Sequence, residues 1–182
     1  MQNLVEDRSD LPRLGRKSPV KTSHMIAGAC NSGRLICLSI LFAGSSAIVF
    51  AAISFVRTAR LHGMTTAQAA SFNAPTFLIY SKIVLAVAVL LAIVELTGFF
   101  LSQAKLTLAQ GIRYGAEALC IAATLLFSVV IAPAMEKLMP QLAESASAYA
   151  AFHELHHWSE IYFGCMILFA LIALLTPALR KD

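Results

Sequence analysis

Residues 35–56 read LICLSILFAGSSAIVFAAISFV, 22 consecutive positions without a charge. Wound as an α-helix at ~1.5 Å per residue, such a run crosses the ~30 Å hydrocarbon core of a bilayer. It recurs three times along the chain. Residues 77–101 are apolar except for Lys82 and Glu95, residues 112–135 are apolar after Arg113 and Glu117, and residues 161–179 carry no charge. In hydrocarbon every backbone donor needs an internal partner, so each run is predicted to be helical. The spans are placed at about 35–56, 77–101, 112–135 and 158–179. Small residues suit close helix packing in three of them: Gly44-Ser45-Ser46-Ala47, then Ala86, Ala88 and Ala92, then Ala122-Ala123.

Composition points the same way. The 182 residues are 58% hydrophobic and 13% charged, with a mean hydropathy of +0.74. An ordinary soluble domain carries about 25% charged residues, so this chain cannot cover a water-facing surface. A soluble globular enzyme and a disordered regulator are both excluded. The fold class expected is an all-α membrane protein, a four-transmembrane-helix bundle with a helical outer loop. Two parallel helix-hairpin repeats fit the layout, with Ser81 aligned on Ser159 and Lys82 on Glu160.

Charge placement sets the expected orientation. Residues 1–34 are expected to form a basic, flexible tail with Arg8, Arg13, Arg16, Lys17, Lys21 and Arg34, and with no apolar run before position 35 no cleavable leader is expected. Adding Lys105, Arg113, Arg180 and Lys181 puts ten of the 14 basic residues on one side, against Arg57, Arg60, Lys82 and Lys137 on the other. The positive-inside rule then predicts both termini in the cytoplasm and the protein in a cell (inner or plasma) membrane. The outer loops are expected at 57–76 and 136–158, the second largely helical with Pro140 interrupting, and Pro75 suits the first turn of the second span. The net charge of +4 is read as contact with lipid, not nucleic acid, because no nucleic-acid motif accompanies it.

Two constellations could carry chemistry. On a helix His153, His156, His157 and Glu160 fall at i, i+3, i+4 and i+7 on one face, with His62 in the other outer loop. Imidazole and carboxylate in that pattern suit a divalent transition metal such as zinc or copper. The alternative is an interfacial belt of amphipathic rings, with Glu160 paired to Lys82. The second constellation is intramembrane. Glu95 and Glu117 lie at matched depth near the inner ends of antiparallel spans, with Arg113 four residues before Glu117 and Arg34 arriving from the first span. A static Glu–Arg clasp and a proton or cation path are the competing readings. Cys30, Cys37, Cys120 and Cys165 form no CxxC or zinc-spaced set, and no nucleophile–base pair, phosphate loop or HExxH is present, so no enzyme is expected.

Short motifs add a resemblance. Phe152-His153-Glu154-Leu155-His156-His157-Trp158-Ser159 fits F-x-x-L-H-x-x-S opening the last span, and Ser81-Lys82 opens the second. With Ile131-Ala132-Pro133 ending the third, residues 35–178 resemble the family of transmembrane protein 205 and its bacterial relatives, a four-span domain of unknown function. The matching positions are Ser81, Lys82, Phe152, His156 and Ser159, whereas His153 and His157 stand outside the pattern. The resemblance implies a membrane fold and no assigned activity. The function expected is a small binding or accessory subunit, or a homo-oligomeric membrane component in contact with lipid. A small transporter or metal-handling protein and a haem- or quinone-associated electron-transfer subunit are the alternatives.

Overall fold

The computed structural model describes residues 19–101, 107–142 and 145–179. The described residues run as four long helical rods and contain no strand. The first rod is α1 (Pro19–Ser39), a π-helical turn (Ile40–Gly44) and α2 (Ser45–Leu61); the second is α3 (Thr66–Leu101). The third is α4 (Leu108–Leu125), a second π-helical turn (Leu126–Ile131) and α5 (Ala132–Leu138), and the fourth is α6 (Ala146–Leu175), closed by a 3-10 turn (Thr176–Leu179). Each rod contains a stretch long and apolar enough to span a membrane: Met25–Leu61, Phe72–Leu101, Leu108–Gln141 and Ala146–Leu175.

Local chemistry fixes the rod ends. Thr107 and Gln110 close a reciprocal capping box at the start of α4, and Thr65 and Gln68 make the same exchange at the start of α3. Ser145 caps α6 by accepting from the Ala148 amide at 3.3 Å. Gly63, at φ +83°, turns the chain out of α2, a conformation that costs little without a Cβ.

The helices outrun the spans expected from hydropathy, because polar residues end an apolar run without ending a helix. Residues 19–34 are helical and lead directly into the first span, which corrects that part of the tail expected over 1–34; residues 1–18 lie outside the described residues. The outer loop expected at 57–76 contracts to a turn between Leu61 and Thr66. Pro75 therefore sits inside α3 rather than in its first turn, where it forgoes the bond to the carbonyl four residues back. The helical second outer loop stands, broken by a 3-10 turn (Met139–Gln141) at Pro140.

The rods form a square. The first packs on the second and fourth, and the third also packs on the second and fourth, so the diagonals are first–third and second–fourth. One side of each rod supplies the core: Cys37, Leu38 and Leu41 from α1 and its π turn, Val84 and Leu91 from α3, Cys120 and Phe127 from the third rod, Phe163 and Met166 from α6. Small buried residues (Ala88, Ala123, Ala170, Ala173) let the rods approach closely. Large apolar side chains such as Phe50, Ile79, Leu96, Leu119 and Leu168 point outward, as lipid permits.

Both π-helical turns fall in the first rod of a hairpin, which agrees with the two-hairpin layout. So do Ser81 and Ser159, both buried, each donating to the carbonyl three residues back, Leu78 at 2.7 Å and His156 at 2.6 Å. The π turns have identifiable causes. Pro133 follows the second and cannot donate within the helix. In the first, the Ile40 carbonyl receives the Tyr80 hydroxyl at 3.4 Å, and that hydroxyl also shares a 3.1 Å hydrogen bond with Ser45 Oγ.

Candidate functional site

The end of the bundle at which Pro19 and Leu179 lie (the proximal end) holds the intramembrane charges. Arg34, Glu95, Arg113 and Glu117 converge there from three rods. A single nitrogen, Arg113 Nη1, donates to Glu95 Oε1 and Oε2 at 3.1 and 3.2 Å and to Glu117 Oε1 at 3.1 Å. Its guanidinium carbon lies 4.1 Å from the centre of the Tyr114 ring. Arg34 stands further off. Its Nε is 3.9 Å from Glu95 and its Nη1 3.9 Å from Glu117, while Nη2 donates to Asn31 Oδ1 at 2.8 Å. Two guanidiniums against two carboxylates leave the group neutral, which offsets part of the desolvation of the Glu117 side chain, 2% exposed. Glu117 Oε2 and Arg34 Nε are buried without a hydrogen-bond partner among the described residues. The structure therefore brings together the four charged residues singled out in the sequence, and their ion pairs link three rods.

The opposite, distal end is hollow. A cavity of about 570 Å³ lies between α2, α3, α5 and α6. Its floor is aromatic. The Phe163 ring meets Phe127 edge-on at 4.8 Å and 89°, and Phe77 at 5.7 Å and 76°. Val49, Ile53 and Val56 of α2 form one wall, with Met135 and Met139 opposite. Gly164 lines the fourth side, and a Cβ there would meet nothing within 4 Å. Polar groups are confined to Asn73, His156, Ser159 and Glu160. Of these the Ser159 hydroxyl is spent on the His156 carbonyl, and His156 stacks on Phe152 at 6.5 Å.

Three expectations are corrected here. Lys82 is exposed and makes no ion pair within 4 Å among the described residues, so the Lys82–Glu160 pair does not form. Glu160 is instead engaged from its own helix, with Oε1 3.4 Å from His156 Nε2 and Oε2 3.9 Å from His157 Nδ1. The metal set His62, His153, His156, His157 and Glu160 is also not assembled: no group of three or more such side chains able to hold a metal occurs among the described residues. One face is not one point. His153 and Glu160 stand seven residues apart, ~10.5 Å along the helix axis, whereas metal–ligand bonds are ~2 Å long. His62 caps the C-terminus of α2. Third, Arg34, counted both in the tail over 1–34 and in the intramembrane set, is buried in a helix and stands with the latter.

The sequence reading missed the Ser45–Tyr80 link and the cavity itself. Ser45, Asn73 and Tyr80 were visible as polar punctuation in or beside apolar runs, and that signal could have found the first.

A multi-pass α-helical membrane protein, clasped by buried ion pairs at one end and hollow at the other, is the class these features define. The chain belongs to the family described as Domain of unknown function (DUF4149), which matches residues 36–144. That match takes in most of the first rod and all of the second and third, and ends before α6. No curated protein and no solved structure matches the chain.

Proposed function

We propose that this protein is a non-enzymatic binding component of the membrane, which holds a small apolar molecule drawn from the bilayer in its distal cavity. The observation that carries this is the cavity: about 570 Å³ of apolar, aromatic-floored space bounded by all four rods, with polar groups at few positions. Ligand sites for drug-sized molecules occupy about 300–1,000 Å³ and share that character. Phe152, His156 and Ser159 of the F-x-x-L-H-x-x-S stretch all line it. The proximal clasp belongs to this reading as the rigid base against which the distal half can open.

In this proposal the proximal end faces the cytoplasm, as the excess of basic residues there favours. The protein works as a homo-oligomer or as a subunit of a larger membrane complex, since four rods alone leave no room for a private aqueous path. The test is chemical. After gentle extraction, native mass spectrometry should find a lipid-extractable molecule on the wild-type chain. Gly164→Trp fills the cavity from its open side and should remove it. Identical bound molecules on both proteins would end the reading.

A further inference from the structure

The cavity has an electrical sign, and resting on the binding reading above, we infer that its ligand is a lipophilic cation: an aromatic or alicyclic body bearing an ammonium- or phosphonium-type centre. No Lys or Arg lines the cavity, and the one formal charge on its wall is the Glu160 carboxylate. That carboxylate is not neutralised by Lys82 or by any other described lysine or arginine within 4 Å; its neighbours are His156 and His157. The closer contact, His156 Nε2 to Glu160 Oε1, spans 3.4 Å, long for a charge-assisted hydrogen bond and readily exchanged for a better donor or cation. Below the rim Phe77, Phe127 and Phe163 line the hollow, and their rings meet edge to face. Aromatic ring faces carry the negative part of the quadrupole and attract cations, more strongly where water is excluded. Carboxylate and π-faces therefore favour the same sign. An anionic or phosphate-bearing lipid head would meet Glu160 with like charge and no guanidinium or ammonium to receive it.

Three isosteres of one shape read out that sign: tetraphenylphosphonium, neutral tetraphenylmethane and anionic tetraphenylborate, each titrated against the full chain in nanodiscs of zwitterionic lipid. Saturable binding of the phosphonium is expected, about tenfold tighter than that of the neutral compound, with the borate failing to compete. Glu160→Gln, at an exposed position, should bring the phosphonium down to the affinity of the neutral isostere. Gly164→Trp should abolish both, and Ala52→Phe, entering from α2, replaces it if that variant does not fold. If neutral and cationic probes bind equally and both are lost on filling the cavity, the cation assignment is overturned while the cavity reading survives. If none of the three binds saturably, or if binding outlasts the filling variants, both are overturned.

Discussion

The backbone of Gly44 passes so close to the Tyr80 hydroxyl that a Cβ at position 44 would stand 2.6 Å from that oxygen. The hydroxyl is not free to retreat, because it bonds Ser45 Oγ and the Ile40 carbonyl at the π turn, and Tyr80 is buried. Gly44→Ala is expected to cost about 1–3 kcal/mol, the usual penalty for overpacking a closed core. Thermal unfolding in detergent would measure it. Adding Tyr80→Phe to Gly44→Ala removes the obstructing atom and should recover part of the loss. Two substitutions that simply add would show that the close approach is not the cause.

The same substitution at Gly164 should have the opposite sign. A methyl group there meets nothing within 4 Å and enters the cavity, so only the backbone term remains. Replacing a mid-helix glycine by alanine then stabilises by about 0.5–1 kcal/mol. A lowered unfolding temperature for Gly164→Ala would mean that the space beside it is closed in the membrane.

The two arginines of the clasp should not be equal. Arg113 hydrogen-bonds both carboxylates through one nitrogen, and its loss strands Glu117 with no hydrogen-bond donor. Breaking a buried pair in this way costs about 3–5 kcal/mol, so Arg113→Ala should fail to accumulate or unfold early. Arg34 makes only 3.9 Å contacts to the same carboxylates. Its removal forfeits Coulomb attraction but no hydrogen bond to them, and should cost about 1–3 kcal/mol. Equal losses, or a larger loss at position 34, would contradict this ordering.

How much of this could be read beforehand follows from which physical quantity governs each feature. The four rods follow from transfer free energy summed over ~20 residues, and that sum is written in composition. The meeting of Glu95 and Glu117 follows from depth, which is a residue count from the end of each antiparallel span. Rotation about the helix axis is a different matter. Whether Glu160 faces Lys82 or the imidazole one turn before it depends on how α3 and α6 pack, and no one-dimensional pattern records that. The first π turn is equally silent: ILFAG has the composition of any apolar helix, and only the Tyr80 hydroxyl on the Ile40 carbonyl distinguishes it, whereas Pro133 after LFSVVI is a mark the sequence does carry. A cavity is a misfit among four surfaces, so it becomes visible only once all four are placed.

The histidine-rich turn at the head of α6 offers the last test. His153 is exposed and makes no hydrogen bond or ion pair among the described residues, while His156 and His157 both lean toward Glu160. Two imidazoles and one carboxylate at 3.4 and 3.9 Å form a rim contact and not a coordination shell, which needs ligands converging within ~2 Å of one point. Purified protein is therefore expected to carry no stoichiometric zinc or copper, and chelator treatment should leave its unfolding temperature unchanged. His153→Ala should be silent in both measurements. Stoichiometric metal lost in His156→Ala would instead require the rim to rearrange by several ångströms around an ion. In that case the cation drawn to Glu160 would be a metal and not an organic amphiphile.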